Sequence, residues 1–195
     1  MTEISAKKQR IYQEAARLFQ DRGYAATSMR AIAGAVDLEV SSLYSHIRSK
    51  EELLQEICFR TAGQFLDAVQ AIRRKWDNPV RQLEEIIRFH TRLALQDPTS
   101  ATVFSDEWKH LGPEEVKSFV SMRRNYEQQF LEILVQGQRA GLIRDLPRHW
   151  IMHTIISGLA WLYRTQHPVP PDEQEHLIQT LLAMNLHGII KSQNV

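Results

Sequence analysis

Apolar residues recur along this chain at helical spacing almost from end to end. Ile11, Ala15, Leu18 and Phe19 stand at i, i+4, i+7 and i+8, which makes one buried stripe on a first helix from about Ser5 to Asp21. Gly23 ends it. Thr27 or Ser28 can cap a short second helix whose inner face is Met29, Ile32, Ala33 and Val36. Asp37 marks a turn, because aspartate tolerates left-handed backbone better than most residues with a side chain. A third short helix follows over about Glu39 to His46. Ser49 and Glu52 have capping-box spacing at the start of a long fourth helix, which reaches about Trp76. Five further helices are expected over about Val80–Gln96, Ala101–Leu111, Pro113–Ala140, Arg148–Gln166 and Asp172–Ile190.

No alternating pattern of strand length occurs, and the seven prolines fall mostly between periodic segments, where helices break. The fold class is therefore all-α. Three short helices followed by six longer ones divide the chain into a head, residues 1–50, and a body, residues 51–195.

Charge sharpens that division. Residues 1–50 hold eight Lys/Arg against five acids, whereas the remainder holds sixteen against eighteen. A basic head on an acidic body suits a protein that meets a polyanion at one end. The single cysteine, Cys58, excludes an internal disulfide and a cysteine-based zinc site. The first residues have no apolar signal core, and no run of about 18 apolar residues is long enough to span a membrane. A cytoplasmic chain without membrane contact is the expectation.

The chemistry concentrates between Thr27 and Lys50. Leu43 and Ile47, four apart, can pack on the first two helices. Val40, Ser41, Ser42, Tyr44 and Ser45 then lie largely on other faces of the third helix. These are slim or hydroxyl-bearing side chains, suited to a helix that enters a major groove. Val40 can touch a thymine methyl, and the hydroxyls suit phosphates and base edges. His46 and Lys50 reach the flanking backbone, and Lys50 stands beside the N-terminal amides of the fourth helix. Ser28 and Arg30, at the start of the second helix, complete the candidate DNA-contacting set. Each residue alone reads more simply: Tyr44 as half-buried filler, His46 as a cap, Lys50 as a solvated lysine. Their joint spacing after a helix-turn signal favours nucleic acid.

The run RIYQEAARLFQDRGYAATSMRAIAGAV and then SSLYSHIRSKEELL resemble the TetR/AcrR family of transcriptional regulators over residues 10–54. The resemblance implies a three-helix DNA-binding head and a C-terminal body for ligand binding and dimerisation. It implies a homodimer, repression from an inverted-repeat operator on double-stranded DNA, and release when a small molecule binds. By position, Thr27 and Lys50 match phosphate-contacting residues, and Val40 to His46 fall in the recognition helix. Four positions depart from the family pattern: Asp37 for a common Gly, Glu39 for a capping Ser or Thr, Ser41 for Gly, and Ile47 for Phe.

The body reads less sharply. Its many aromatics are first of all core. The stretches EWKHLGPEEVKSFVSMRRNYEQQFLEILVQGQRAGLIRDL and ISGLAWLYRTQHP are similar to a subset of the family that answers to acyl-CoA thioesters or related lipid-derived acids. That similarity implies cations for phosphates from Arg123, Arg124 and Arg164. It implies an apolar slot from Phe89, Phe104, Trp108, Met122 and Trp161, with Tyr126 beside it. Ordinary salt bridges are the competing reading of these arginines. The last two helices are the expected dimer face, since Leu177, Ile178, Leu181, Leu182, Asn185 and Ile189 spread apolar surface widely, and Gly158 and Ala160 permit close approach.

No nucleophile elbow, phosphate loop or paired-carboxylate site is present. His149 and His153 have metal-ligand spacing but no third ligand nearby, so neither a metal nor a cofactor is expected. The chain is read as a regulator and not an enzyme. The rival is an all-α lipid or acyl carrier, or an enzyme module, with a vestigial head.

Overall fold

The stripe of Ile11, Ala15, Leu18 and Phe19 is buried as its spacing requires, along α1 (Ala6–Arg22). A computed structural model describes residues 6–164 and 169–190. Gly23 stops α1 with a positive φ of 80°, a conformation in which a Cβ would be strained. After it come α2 (Met29–Ala35), α3 (Val40–Tyr44) and α4 (Lys50–Lys75). Then follow α5 (Pro79–Gln96), α6 (Pro98–Asp106), a 3-10 turn over Trp108–His110, and α7 (Pro113–Arg139). The chain continues with α8 (Arg148–Ala160), a 3-10 turn over Trp161–Arg164, and α9 (Gln174–Leu186). The described residues contain no strand, only an isolated bridge between Ile143 and Ile190.

The local chemistry explains most boundaries. The Ser28 side chain accepts from the Ala31 amide and caps α2. Asn78 accepts from the Val80 and Arg81 amides at the start of α5. Pro79, Pro98 and Pro113 sit at the first position of α5, α6 and α7 and do not stand between helices. The first helical N–H has no intrahelical partner, so a proline there loses nothing. This moves α6 three residues upstream of its expected start and ends it before Trp108. α3 is shorter than the Glu39–His46 expected: Glu39 is its N-cap residue, and at the other end the Ser45 and His46 amides turn to the Ser42 and Leu43 carbonyls three positions back. α9 begins at Gln174 and ends at Leu186, inside the Asp172–Ile190 expected. The final residues of the expected eighth helix, 165 and 166, lie outside the described residues.

The chain divides into two compact units. The first comprises residues up to Gly63 together with Thr99–Ser121, and the second comprises Gln64–Pro98 with Met122 onward. Sequence alone assigned 99–121 to the body. In the first unit, α1 packs on α2 and α2 on α3 around Phe19, Ile32, Leu43 and Ile47, all with no solvent exposure. In the second, α5 packs against α8 and α9, and α8 against α9. Gly158 makes the last contact possible: a Cβ there would meet Asn185 Oδ1 at 3.3 Å.

Candidate nucleic-acid interface

The turn between α2 and α3 is set by Asp37, whose φ is +57°. That is the left-handed conformation expected of it, and the Arg10 guanidinium donates to its carboxylate at 3.1 Å. The turn presents α3 with Leu43 and Ile47 facing inward, both fully buried. Ser41, Ser42, Tyr44 and Ser45 are exposed, Tyr44 to 50%, while Val40 and His46 are half-buried. The Ser45 hydroxyl donates to the Ser42 carbonyl at 2.7 Å, leaving its oxygen free to accept. Arg30 is exposed on α2. Glu39 is exposed at the head of α3.

Three candidates have structural duties. Thr27 is only 2% exposed, and its hydroxyl donates to the Leu18 and Gly23 carbonyls at 3.1 and 2.9 Å. It ties the end of α1 to the following loop, so its side chain does not offer a donor outward. Ser28 is exposed, but its oxygen is spent on the cap. Lys50 is half-buried. Its ammonium donates to the Tyr24 and Thr27 carbonyls, both at 2.9 Å, and lies 4.2 Å from the centre of the Tyr24 ring. Two of the three ammonium donors are thus fixed and one remains.

Tyr24 and Glu51 complete this cradle, and the sequence reading gave them no role. The Tyr24 hydroxyl donates to Glu51 at 3.1 Å. Burial first, and then Glu51, push that phenol above its usual value. Glu51 is held low by its own backbone amide first, then by Ser49, Tyr24 and Lys50. His110 stacks on the Tyr24 ring at 5.2 Å and 24°, and Gln20 donates to Thr102 at 3.2 Å. Residues of 99–121 therefore touch α1 and its following turn directly. Only the position of Gly23–Tyr24 inside the family-like run hinted at this. Nothing in the local sequence near 110 does.

The nine ligand candidates are distributed over both units. Phe104 and Trp108 lie in the first unit, against Phe119 at 5.3 and 5.6 Å between ring centres. Phe89 and Tyr126 lie in the second unit, each against Phe65. Met122 is half-buried, and Arg123 and Arg124 are exposed on α7. Trp161 is 51% exposed and Arg164 is exposed, while Leu162 and Tyr163 between them are buried. The 3-10 turn reverses the expected order of faces, so Tyr163 is its inward aromatic and Trp161 points out.

Tyr163 meets a polar cluster that sequence reading did not single out. His90 Nδ1 lies 3.0 Å from the Tyr163 hydroxyl, and His90 Nε2 lies 2.7 Å from the Tyr126 hydroxyl. A neutral imidazole has one donor and one acceptor nitrogen, so one phenol donates to it and the other accepts. Burial alone drives the imidazole down to about 4, so it is neutral at physiological pH. His90 continues the stripe of Leu83, Ile86 and Ile87 on α5, and that register was the available signal.

This head, with its exposed third helix behind an aspartate turn, defines a helix-turn-helix DNA-binding protein. The comparisons agree. Residues 11–57 match "Bacterial regulatory proteins, tetR family", and residues 77–189 match "Tetracyclin repressor-like, C-terminal domain". The chain belongs to the TetR family of bacterial transcriptional regulators. It is 26% identical over 191 residues to the HTH-type transcriptional repressor KstR2 of Mycolicibacterium smegmatis, covering 97% of this chain and 93% of that one. The structure of the ketosteroid transcriptional regulator KstR2 of Mycobacterium tuberculosis superposes with a TM-score of 0.90 at 23% identity, over 97% of this chain and 98% of the other. AibR in complex with isovaleryl coenzyme A and operator DNA superposes with a TM-score of 0.79 at 26% identity, over 91% and 97%. Regulators of this family bind operator DNA and dimerise. No helix among the described residues is long and apolar enough to cross a membrane.

Proposed function

We propose that the protein is a homodimeric repressor that holds an inverted-repeat operator and releases it when an acyl-CoA or a related apolar acid binds the body. The observation that carries the DNA half is the exposed row Ser41, Ser42, Tyr44 and Ser45, backed by fully buried Leu43 and Ile47. The acyl-CoA half is supported by AibR, solved with isovaleryl coenzyme A. It is supported also by the exposed Arg123 and Arg124, which suit phosphates. The chain works by binding and not by turnover, as its regulator relatives do, and acts in the cytoplasm, where its DNA is. Residues 1–50 supply the DNA contacts. The dimer face lies on α8 and α9, and a twofold pair sets two α3 helices one DNA turn or a multiple apart, about 34–36 Å.

The test is fluorescence anisotropy against DNA from upstream of the protein's own gene, with unrelated DNA as competitor. Log affinity falls linearly with log salt, since several phosphates are neutralised. Tyr44→Ala costs about 1–3 kcal/mol of operator binding and leaves far-UV circular dichroism unchanged. Unaltered affinity in that variant would remove α3 from the interface.

Ligand response is read in the same assay by adding isovaleryl-CoA or palmitoyl-CoA to the complex. The stacking of His110 on Tyr24 makes residues 99–121 the reporter to the head. His110→Ala therefore keeps operator affinity within about threefold, yet needs roughly ten times more ligand for release, a coupling loss of about 1.4 kcal/mol. Equal ligand sensitivity in the two proteins would show that the signal travels elsewhere.

A further inference from the structure

The outward side of α8 and α9 lacks permanent charge over a long stretch. On α8 the exposed positions from Trp150 to Trp161 are His153, Thr154, Ser157 and Gly158 between the two tryptophans. On α9 the exposed positions between His176 and His187 are Gln179, Thr180 and Met184. Neither stretch contains an Asp, Glu, Lys or Arg. Trp150 and Met184 are 72% and 76% exposed. Water-facing helix surfaces carry lysines and carboxylates as a rule, whereas loss of charge with Trp and Met enrichment is the composition of a covered interface. The occupant is a second copy of this chain, since family members dimerise and a neutral patch can meet itself without like-charge repulsion. This step rests on the dimer face proposed above.

The ionisable groups inside these two strips are all imidazoles: His153 on α8, and His176 and His187 at the ends of the α9 strip. We propose that protonation of His153 and His187 governs self-association, which is tight while they are neutral and weakens as they charge. α5, packed on α9, brings Arg88, Arg92 and Glu85, and Arg88 pairs with Glu85 and Glu175. Glu175 also accepts from Gln179. Asp172 and Glu173 precede His176 within one turn. They lie more than two turns from His187. Around the ends of the strips stand Arg148, which donates to Gln138, and Arg164, together with Arg144 and Asp145 beside the Ile143–Ile190 bridge. Three of those four are cations.

Burying a charged imidazole against an apolar partner is unfavourable. Separated chains therefore hold more protons than the pair, and association falls as pH falls. A twofold dimer contains each histidine twice, so four charges arrive together.

Analytical ultracentrifugation of the full chain at constant ionic strength decides the matter. Between about pH 8 and 6, the range in which imidazoles titrate, the wild-type dimer dissociation constant rises about 100-fold. The double variant His153→Gln/His187→Gln remains dimeric and changes less than about threefold over that range. A flat wild-type profile, or a double variant with the wild-type slope, overturns the proposal. A chain monomeric at every pH and concentration would instead overturn the dimer face, and the proton linkage with it. His90 is present in both proteins, so its buried imidazole cannot produce the difference.

Discussion

Lys50→Met will lower the thermal midpoint by about 4–8 °C and weaken operator binding at least roughly tenfold. Methionine keeps most of the stem's volume and removes only the ammonium. The Tyr24 and Thr27 carbonyls, each 2.9 Å from that ammonium, then lose a charged donor. Hydrogen bonds to charged groups contribute about 1.5–3 kcal/mol each. Partial solvent access brings the combined loss to about 2 kcal/mol. Lys50→Arg will not restore stability, because the two carbonyls converge on one nitrogen while guanidinium donors diverge from a plane. Thermal unfolding and anisotropy on the same preparations check both parts. An unchanged midpoint in Lys50→Met would mean that the cradle adds nothing to the fold.

His90→Leu will cost about 3 kcal/mol at neutral pH, because two buried phenols lose their shared partner. The cost will shrink as the solution is acidified. In the unfolded chain the imidazole takes up a proton below about pH 6.5. In the folded chain burial keeps it neutral down to about 4. The unfolded state therefore binds more protons in that window, and the wild type loses about 3 kcal/mol between pH 6.5 and 4 that the leucine variant does not lose. Denaturant titrations of both proteins from pH 7.5 to about 4.5 measure the narrowing gap. A constant gap across that range would mean that His90 is charged or solvated in the fold. Tyr126→Phe and Tyr163→Phe should each cost less, since one phenol remains for the ring.

The head was legible because its signals are local. Leu43 and Ile47 four apart, an aspartate where the backbone turns left-handed, and a serine ahead of α2 each act within one or two turns. The structure keeps all three. Lys50 was read as facing DNA alone, since the carbonyls that hold it come from residues 23 and 26 positions away. Thr27 is similar: its hydroxyl is turned toward the end of α1 by the Leu18 and Gly23 carbonyls, nine and four positions back.

The body was legible as helices and much less as a site. Helical periodicity gives a face only while the period holds. At Trp161 the backbone tightens to a 3-10 turn, and the tryptophan expected inside stands outside while Tyr163 replaces it. Trp150 shows the same limit: its size suggested core, yet it is the second most exposed of the large apolar side chains among the described residues. Partner-covered surface and core have the same composition in sequence, and only the fold separates them.

α3 is five residues long, with one buried side chain and no side-chain cap. A helix of that length has no stability of its own in water, since isolated helices shorter than about 12–15 residues are marginal. Its order is therefore borrowed from Leu43 and Ile47, and its amides should exchange with solvent well before those of α1. A reading element so lightly anchored can settle against half-sites of unequal geometry. Some of the free energy of operator contact is then spent on ordering the reader, which makes affinity sensitive to small changes in the support beneath it.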